Sequence, residues 1–307
     1  MDLIPHLVKS RKLKETSINN YVRNIRTLHG KKPFDNVKWL TDTDAILEKI
    51  KDYSIKTKRN MITSVIVVLK AIDEKEFEAA LTKYKTILLD MNKEINTEYS
   101  THSKTEKEEK NWLTLGELKS IQQEYEQQVK DRNIKDRTKL NAKDNKLLQA
   151  YMVSSLYTLQ PPVRLDYAGM LMVGSRKEIK EKENYLVVIG SRKKYFVFQN
   201  FKNVDKMGAI EQPIGKELNK VINLYLRFND TDDFLLNARG HPMSANSLSK
   251  LLPRVFNKDG KSVNLNMIRK SWVKDVVNPE QVKKEKDLAQ AMHHTENTQK
   301  EVYLKTD

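Results

Sequence analysis

The chain contains no cysteine. Disulfides, thiolate metal sites and a cysteine nucleophile are excluded, and a reducing compartment suits the chain. It also lacks an apolar run of the ~20 residues that a membrane-spanning helix needs. The longest apolar patch, residues 65–69, is far shorter, so no membrane partner is expected. The opening residues, MDLIPHLVKSRKLK, hold no hydrophobic stretch of the secretory-signal kind, which points to an intracellular protein. No internal repeat and no long low-complexity tract is present.

What the chain has is charge. Among 307 residues, 56 Lys and Arg face 41 Asp and Glu, a formal net charge of +15. The surplus is spread over all three thirds of the sequence, so no basic tail accounts for it. An evenly basic body fits a protein that wraps a polyanion, nucleic acid above all. The plain alternative is a Lys-rich compositional bias with no partner behind it. The apolar fraction of 38% is low but sufficient for two helical cores, and the length favours two domains.

Hydrophobic spacing predicts helices through residues 1–97. Ile18, Tyr21, Val22, Ile25 and Leu28 lie on one face, after a possible cap at Thr16 or Ser17. Further helices are predicted near 44–52, 57–72 and 75–96, although the Val/Ile content of the third would also suit a strand. Residues 98–110 are polar and aperiodic and read as a linker. From 111 to 307 a second domain is expected. Thr114 to Glu117 forms a capping-box pattern, and the apolar helix at 147–159 is stopped by Pro161 and Pro162. Short β-rich runs at 185–189, 195–198 and 209–214 suggest a small antiparallel sheet. Helices resume at 217–228, 244–256, 266–277 and 287–293. The fold class is thus mainly α with a small antiparallel β-sheet.

Four segments of this second domain stand out. They are Pro161-Pro-Val-Arg164-Leu-Asp-Tyr167; Phe196 to Gly208 with Lys202 and Lys206; Asn266-Met-Ile-Arg269; and Met292-His-His294-Thr, with Tyr303 nine residues after His294. In this order they resemble the boxes of the tyrosine recombinases, the phage-type integrase family. Their wording is similar to members from large DNA viruses and eukaryotic mobile elements. The resemblance covers the chain from about Trp112 onward, and residues 1–97 resemble the family's core-binding domain more weakly.

The resemblance implies metal-independent DNA cleavage and rejoining with no cofactor, on double-stranded DNA, by a homotetramer on two sites. It implies a clamp of Arg164 and Arg269, a general acid at Lys202, a phosphate-supporting His294 and a nucleophile at Tyr303. The chemistry suits these residue types. A phenolate can attack phosphorus and hold the strand as a 3′-phosphotyrosine. Two arginine forks match the oxygens of the phosphorane and keep their protons. A lysine can protonate the leaving 5′ oxygen. Lys56, Lys58 and Arg59, at the start of the third predicted helix, are candidate phosphate contacts.

Each residue has an ordinary reading too. Arg164 and Arg269 could be solvated surface residues. Lys206 competes with Lys202, and Lys194 lies nearby. The adjacent histidines 293 and 294 could be an exposed pair, and no metal set surrounds them at helical spacing. Tyr303 could pack a last helix. Three departures from the family pattern stand out. Asn266 occupies a place usually held by His or Lys; it can donate a hydrogen bond to a phosphoryl oxygen but takes no proton. Tyr167 stands where an acid is common, with Asp166 one step earlier. His293 stands where glycine is usual. The alternatives to recombination are a type IB topoisomerase or resolvase with the same chemistry, a degenerate protein that binds DNA without cutting it, and a basic helical scaffold.

Overall fold

A computed structural model describes residues 1–10, 13–101 and 103–293. The chain divides into two compact units, Met1–Lys104 and a second beginning at Thr105.

The first unit is helical throughout its described residues: α1 (Ile4–Ser10), α2 (Glu15–Leu28), α3 (Thr43–Ile50), α4 (Ile55–Asp73) and α5 (Glu78–Ser100). The centre is α4, capped by Ser54, whose side chain accepts from the Thr57 amide. From Met61 to Leu69 nearly every side chain is buried. This run carries the β-branched residues that would suit a strand. The helix prevails because α1, α2 and α5 pack around it and bury it on all sides. Two polar bonds fix the packing. Tyr84 on α5, fully buried, donates to the Leu40 carbonyl at 2.7 Å, and Asn24 on α2 donates to Ser64 on α4 at 2.9 Å. α1 lies outside the helices expected from hydrophobic spacing; it is a seven-residue helix whose Leu7 is wholly buried.

The second unit opens with α6 (Glu106–Asn111), inside the stretch expected to be a linker. Its charged residues hide a capping box: Thr105 accepts from the Glu108 amide while Glu108 accepts from the Thr105 amide. Glu108 also pairs with Lys270, which ties α6 to the rest of this unit. Next comes α7 (Leu115–Asp131), with the capping box at Thr114 and Glu117.

The organising element is α8 (Ala142–Thr158), in which every residue from Tyr151 to Thr158 is buried. Its buried hydroxyls are satisfied locally: Thr158 donates to the Ser154 carbonyl at 2.8 Å, and Ser155 accepts from Gln122 of α7 at 3.3 Å.

The sheet has four strands in sequence order: β1 (Leu171–Val173), β2 (Tyr185–Ile189), β3 (Lys193–Phe198) and β4 (Ile210–Pro213), with α9 (Val204–Met207) between the last two. The three expected strands pair antiparallel. The sheet is nevertheless mixed, because β1 lies parallel to β2, with Leu171 opposite Tyr185. Three residues are too few to reveal a strand by alternation. β1 forms because its other edge is also satisfied, through Met172 N–H to the Asp232 carbonyl at 2.7 Å.

The remaining elements are α10 (Lys216–Leu226), α11 (Ala245–Val255), a hairpin of β5 (Asn257–Lys258) and β6 (Lys261–Ser262), α12 (Leu265–Val276) and α13 (Pro279–Ala291). Asp259 and Gly260, with φ of +52° and +76°, form the two-residue turn of that hairpin. Among the described residues no helix is long and apolar enough to cross a membrane.

Asp144, in the first turn of α8, is the buried charge this unit must satisfy. Its side chain is 1% exposed and bonds Arg132 at 2.9 Å and Arg137 at 2.6 Å. Replacing Asp144 with Ala strands two half-exposed guanidinium groups and is expected to cost about 2–3 kcal/mol, the worth of hydrogen bonds to a charged group. Urea unfolding of the variant should show a lowered midpoint with an unchanged slope; an unchanged midpoint would contradict this role.

Candidate active site

The proline pair that stops α8 leaves backbone carbonyls without helical donors. Three side chains satisfy them. Trp272 of α12 donates to the Tyr157 carbonyl at 3.0 Å, Arg269 donates to the Pro162 carbonyl at 3.0 Å, and the Tyr157 hydroxyl donates to the Arg164 carbonyl at 2.8 Å. The helix stop is thereby stitched to α12, and the two arginines are drawn to one place. α12 is itself fixed by its Asn264 cap and by Ser271, buried and donating to the Leu113 carbonyl at 2.6 Å.

The two arginines feel each other electrostatically. Partial burial lowers the pKa of Arg269 below its ordinary value, and the Arg164 charge lowers it further; Asp166 opposes both. Arginine remains protonated regardless, so the repulsion is borne by the structure. Asp166 accepts from the Arg164 amide at 3.2 Å, yet burial pushes its carboxyl above the usual value, and both guanidinium groups only partly offset this. Among the described residues no carboxylate lies within ion-pairing distance of either guanidinium. Two cations without an ion-paired carboxylate, one of them partly desolvated and both only partly offset by Asp166, suit an anion.

Tyr167 is core. It is fully buried, with its ring 5.7 Å from Tyr157, 5.2 Å from Phe196 and 5.8 Å from Phe198, and it takes a hydrogen bond from Gln160. The acid associated with the arginines is Asp166, one position earlier than the family pattern.

Lys202 is exposed on the connection between β3 and β4. That connection closes at Gly208, whose φ of +70° and ψ of −172° belong to a region that side chains exclude. At its base is Asn184, the residue before β2, 7% exposed. Its amide donates to the carbonyls of Asp166 at 3.0 Å and Asn200 at 2.9 Å. Its oxygen accepts from the amides of Gln199 at 3.0 Å and Asn200 at 2.8 Å. Asn184 is not among the residues that spacing or resemblance singles out; its one signal in the sequence is an amide residue immediately ahead of an apolar strand.

Lys206 lies on α9 and is also exposed. Lys194 is different. It pairs opposite Val188 towards the other end of the hairpin, is 5% exposed, and its ammonium faces the carbonyls of Gly190 and Ser191 and the amide oxygens of Asn219 and Asn223. Burial lowers its pKa. Its donors are committed to holding the β2–β3 turn.

The remaining candidates divide. Asn266 is exposed in the first turn of α12. Lys56, Lys58 and Arg59 share the start of α4 in the first unit. Lys56 is already paired with Glu98 at 2.8 Å and lies over the Tyr99 ring, while Arg59 donates to Asn92 at 2.6 Å. Their charges are thus partly occupied by α5. His294 and Tyr303 lie outside the described residues. His293, the last one described, has φ of +57°, a conformation glycine adopts most easily. Among the described residues no cluster of three His, Asp or Glu side chains could hold a metal ion.

No family model and no curated protein matches the chain. Among solved structures it is similar to a lambda integrase dimer bound to a COC′ core site, at 13% identity, covering 94% of this chain and 88% of that one with a TM-score of 0.40.

Asp166 supplies a pH test of this geometry. Its carboxyl binds its proton more tightly folded than at the ordinary value of 3.8, so ionisation costs stability as pH rises above 3.8. Asp166→Asn is expected to melt at a higher temperature than the parent at neutral pH, with the gap closing below pH 3.8. A lower melting temperature at neutral pH would mean the carboxylate stabilises the fold through the arginines.

Proposed function

We propose that this protein is a DNA strand transferase of the tyrosine recombinase type. The single observation that supports this most is the pair of electrostatically coupled guanidinium groups that lack an ion-paired carboxylate, Arg164 from the α8 stop and Arg269 from α12. A phosphodiester supplies the charge this pair lacks, and its pentavalent state supplies more.

In this reading the Tyr303 oxygen attacks phosphorus and forms the new P–O bond. The P–O5′ bond breaks, Lys202 gives its proton to the departing 5′ oxygen, and the strand remains as a 3′-phosphotyrosine. Arg164 and Arg269 hold the non-bridging oxygens, with hydrogen bonds from His294 and Asn266. The phenol's proton passes to His294 or to water, because Asn266 is no base. Reversal by another strand's 5′ hydroxyl rejoins the DNA. Full exchange needs four such centres, hence a tetramer on two duplexes. The first unit serves as the core-binding domain, with Lys58 and Arg59 available to phosphates once Arg59 leaves Asn92. Binding should weaken steeply with salt.

A second reading keeps the site and loses the pairing of duplexes: relaxation of supercoiled DNA by a monomer. Rapid relaxation of plasmid of arbitrary sequence would favour it. A third, binding without cleavage, is favoured only by the Asn266 departure and by the misplaced acid, Asp166 with Tyr167 in its expected place.

The test uses a pool of duplexes with a randomised centre, incubated with the full chain and denatured in detergent. Covalent adducts are expected, and sequencing them defines the site. Tyr303→Phe should abolish adducts while leaving duplex binding intact. Arg269→Ala should slow adduct formation by about 10²–10³-fold, the usual effect of removing one donor to a developing oxyanion. Adducts that persist in Tyr303→Phe would contradict the proposal.

A further inference from the structure

We infer that Asn184 is a positioning residue that sets the place of the Lys202 loop relative to Arg164. The inference rests on the strand-transfer reading above, and the geometry carries it further than that reading does. A side-chain amide has two donor hydrogens and an oxygen that accepts two bonds. In Asn184 all four are used. One donor holds the Asp166 carbonyl, two residues from Arg164, and the other three bonds hold the backbone of Gln199 and Asn200, two residues before Lys202. A single buried side chain therefore joins the arginine segment to the base of the lysine loop.

The two sides of this bridge differ in rigidity. The arginine segment is held independently through the carbonyls of Pro162 and Arg164 and through Gly169, whose amide donates to the Met243 carbonyl at 3.0 Å. The loop has Phe201 packed on the core, but its remaining bonds within 201–208 are to itself. Cutting the bridge moves the loop. The side chain that moves with it is Lys202, so the reaction loses protonation of the leaving oxygen rather than stabilisation of the phosphorane.

That distinction can be read directly. A strand whose scissile 5′ bridging oxygen is replaced by sulfur leaves as a thiolate. The P–S bond breaks, the electron pair stays on sulfur, and no proton is needed. Asn184→Asp keeps the two acceptor bonds to the loop and loses both donors; Asn184→Ala loses all four. Both are compared with the parent and with Lys202→Ala on the all-oxygen and sulfur-substituted versions of the duplex recovered from the randomised pool. Circular dichroism and duplex binding are measured alongside.

Cleavage of the all-oxygen strand is expected to slow on the order of 10²-fold in Asn184→Ala, the cost of a misplaced catalytic group. Asn184→Asp should fall between Asn184→Ala and the parent. Sulfur should restore all three variants to near the parental rate, and Asn184→Ala should add nothing to Lys202→Ala. The inference is overturned if sulfur restores Lys202→Ala but not the Asn184 variants, or if the two defects multiply. It is equally overturned if both Asn184 variants unfold, since the residue is then merely structural. Absence of adducts with the parent protein would instead defeat the strand-transfer reading, and failure of sulfur to restore Lys202→Ala would defeat the lysine's assignment.

Discussion

Like charges repel, and this fold holds two of them together. Arg164 and Arg269 come from segments far apart in sequence, and the Arg164 charge makes that of Arg269 harder to bear. Proteins pair most buried charges. Here the nearby carboxyl, Asp166, is itself hindered by burial and bonds a backbone amide. In the proposed reaction the electrostatic cost at this spot is recovered by the phosphodiester, most fully as its charge grows.

What makes the cost bearable is the way α8 ends. A helix wholly buried from Tyr151 to Thr158 anchors the second unit, and its termination at Pro161 and Pro162 creates carbonyls that need donors. Arg269, Trp272 and Tyr157 provide them. The bonds that satisfy a helix end are thus the same ones that place the guanidinium groups. Asn184 extends this economy to the sheet, reaching from the Asp166 carbonyl to the loop beyond β3.

Much of this was legible in the chain because it follows from strong local signals. The proline pair marks the end of α8, Thr114 and Glu117 mark the start of α7, and short β-rich runs mark β2 to β4. Other features depended on partners that spacing cannot reveal. β1 is three residues long and exists because both edges are satisfied. α6 was masked by a run of charges, although Thr105 and Glu108 stand at capping-box spacing just as Thr114 and Glu117 do. The Asp259-Gly260 turn was a readable hairpin signal that went unread. At the site, the resemblance pointed to the arginines and to Lys202, with Lys206 as its competitor and Lys194 nearby. Burial sets Lys194 apart, enclosed by oxygens at the β2–β3 turn, while Lys202 and Lys206 are both exposed on the connection between β3 and β4.

The most direct measurement replaces the phosphates of the recovered duplex one at a time with uncharged methylphosphonates and follows adduct formation. At one phosphate, the parent should depend on the lost charge, and Arg164→Ala and Arg269→Ala should each be partly relieved by that same replacement, because a neutral centre no longer needs its guanidinium. Relief of the two variants at different phosphates, or at none, would contradict a shared site for a single phosphodiester.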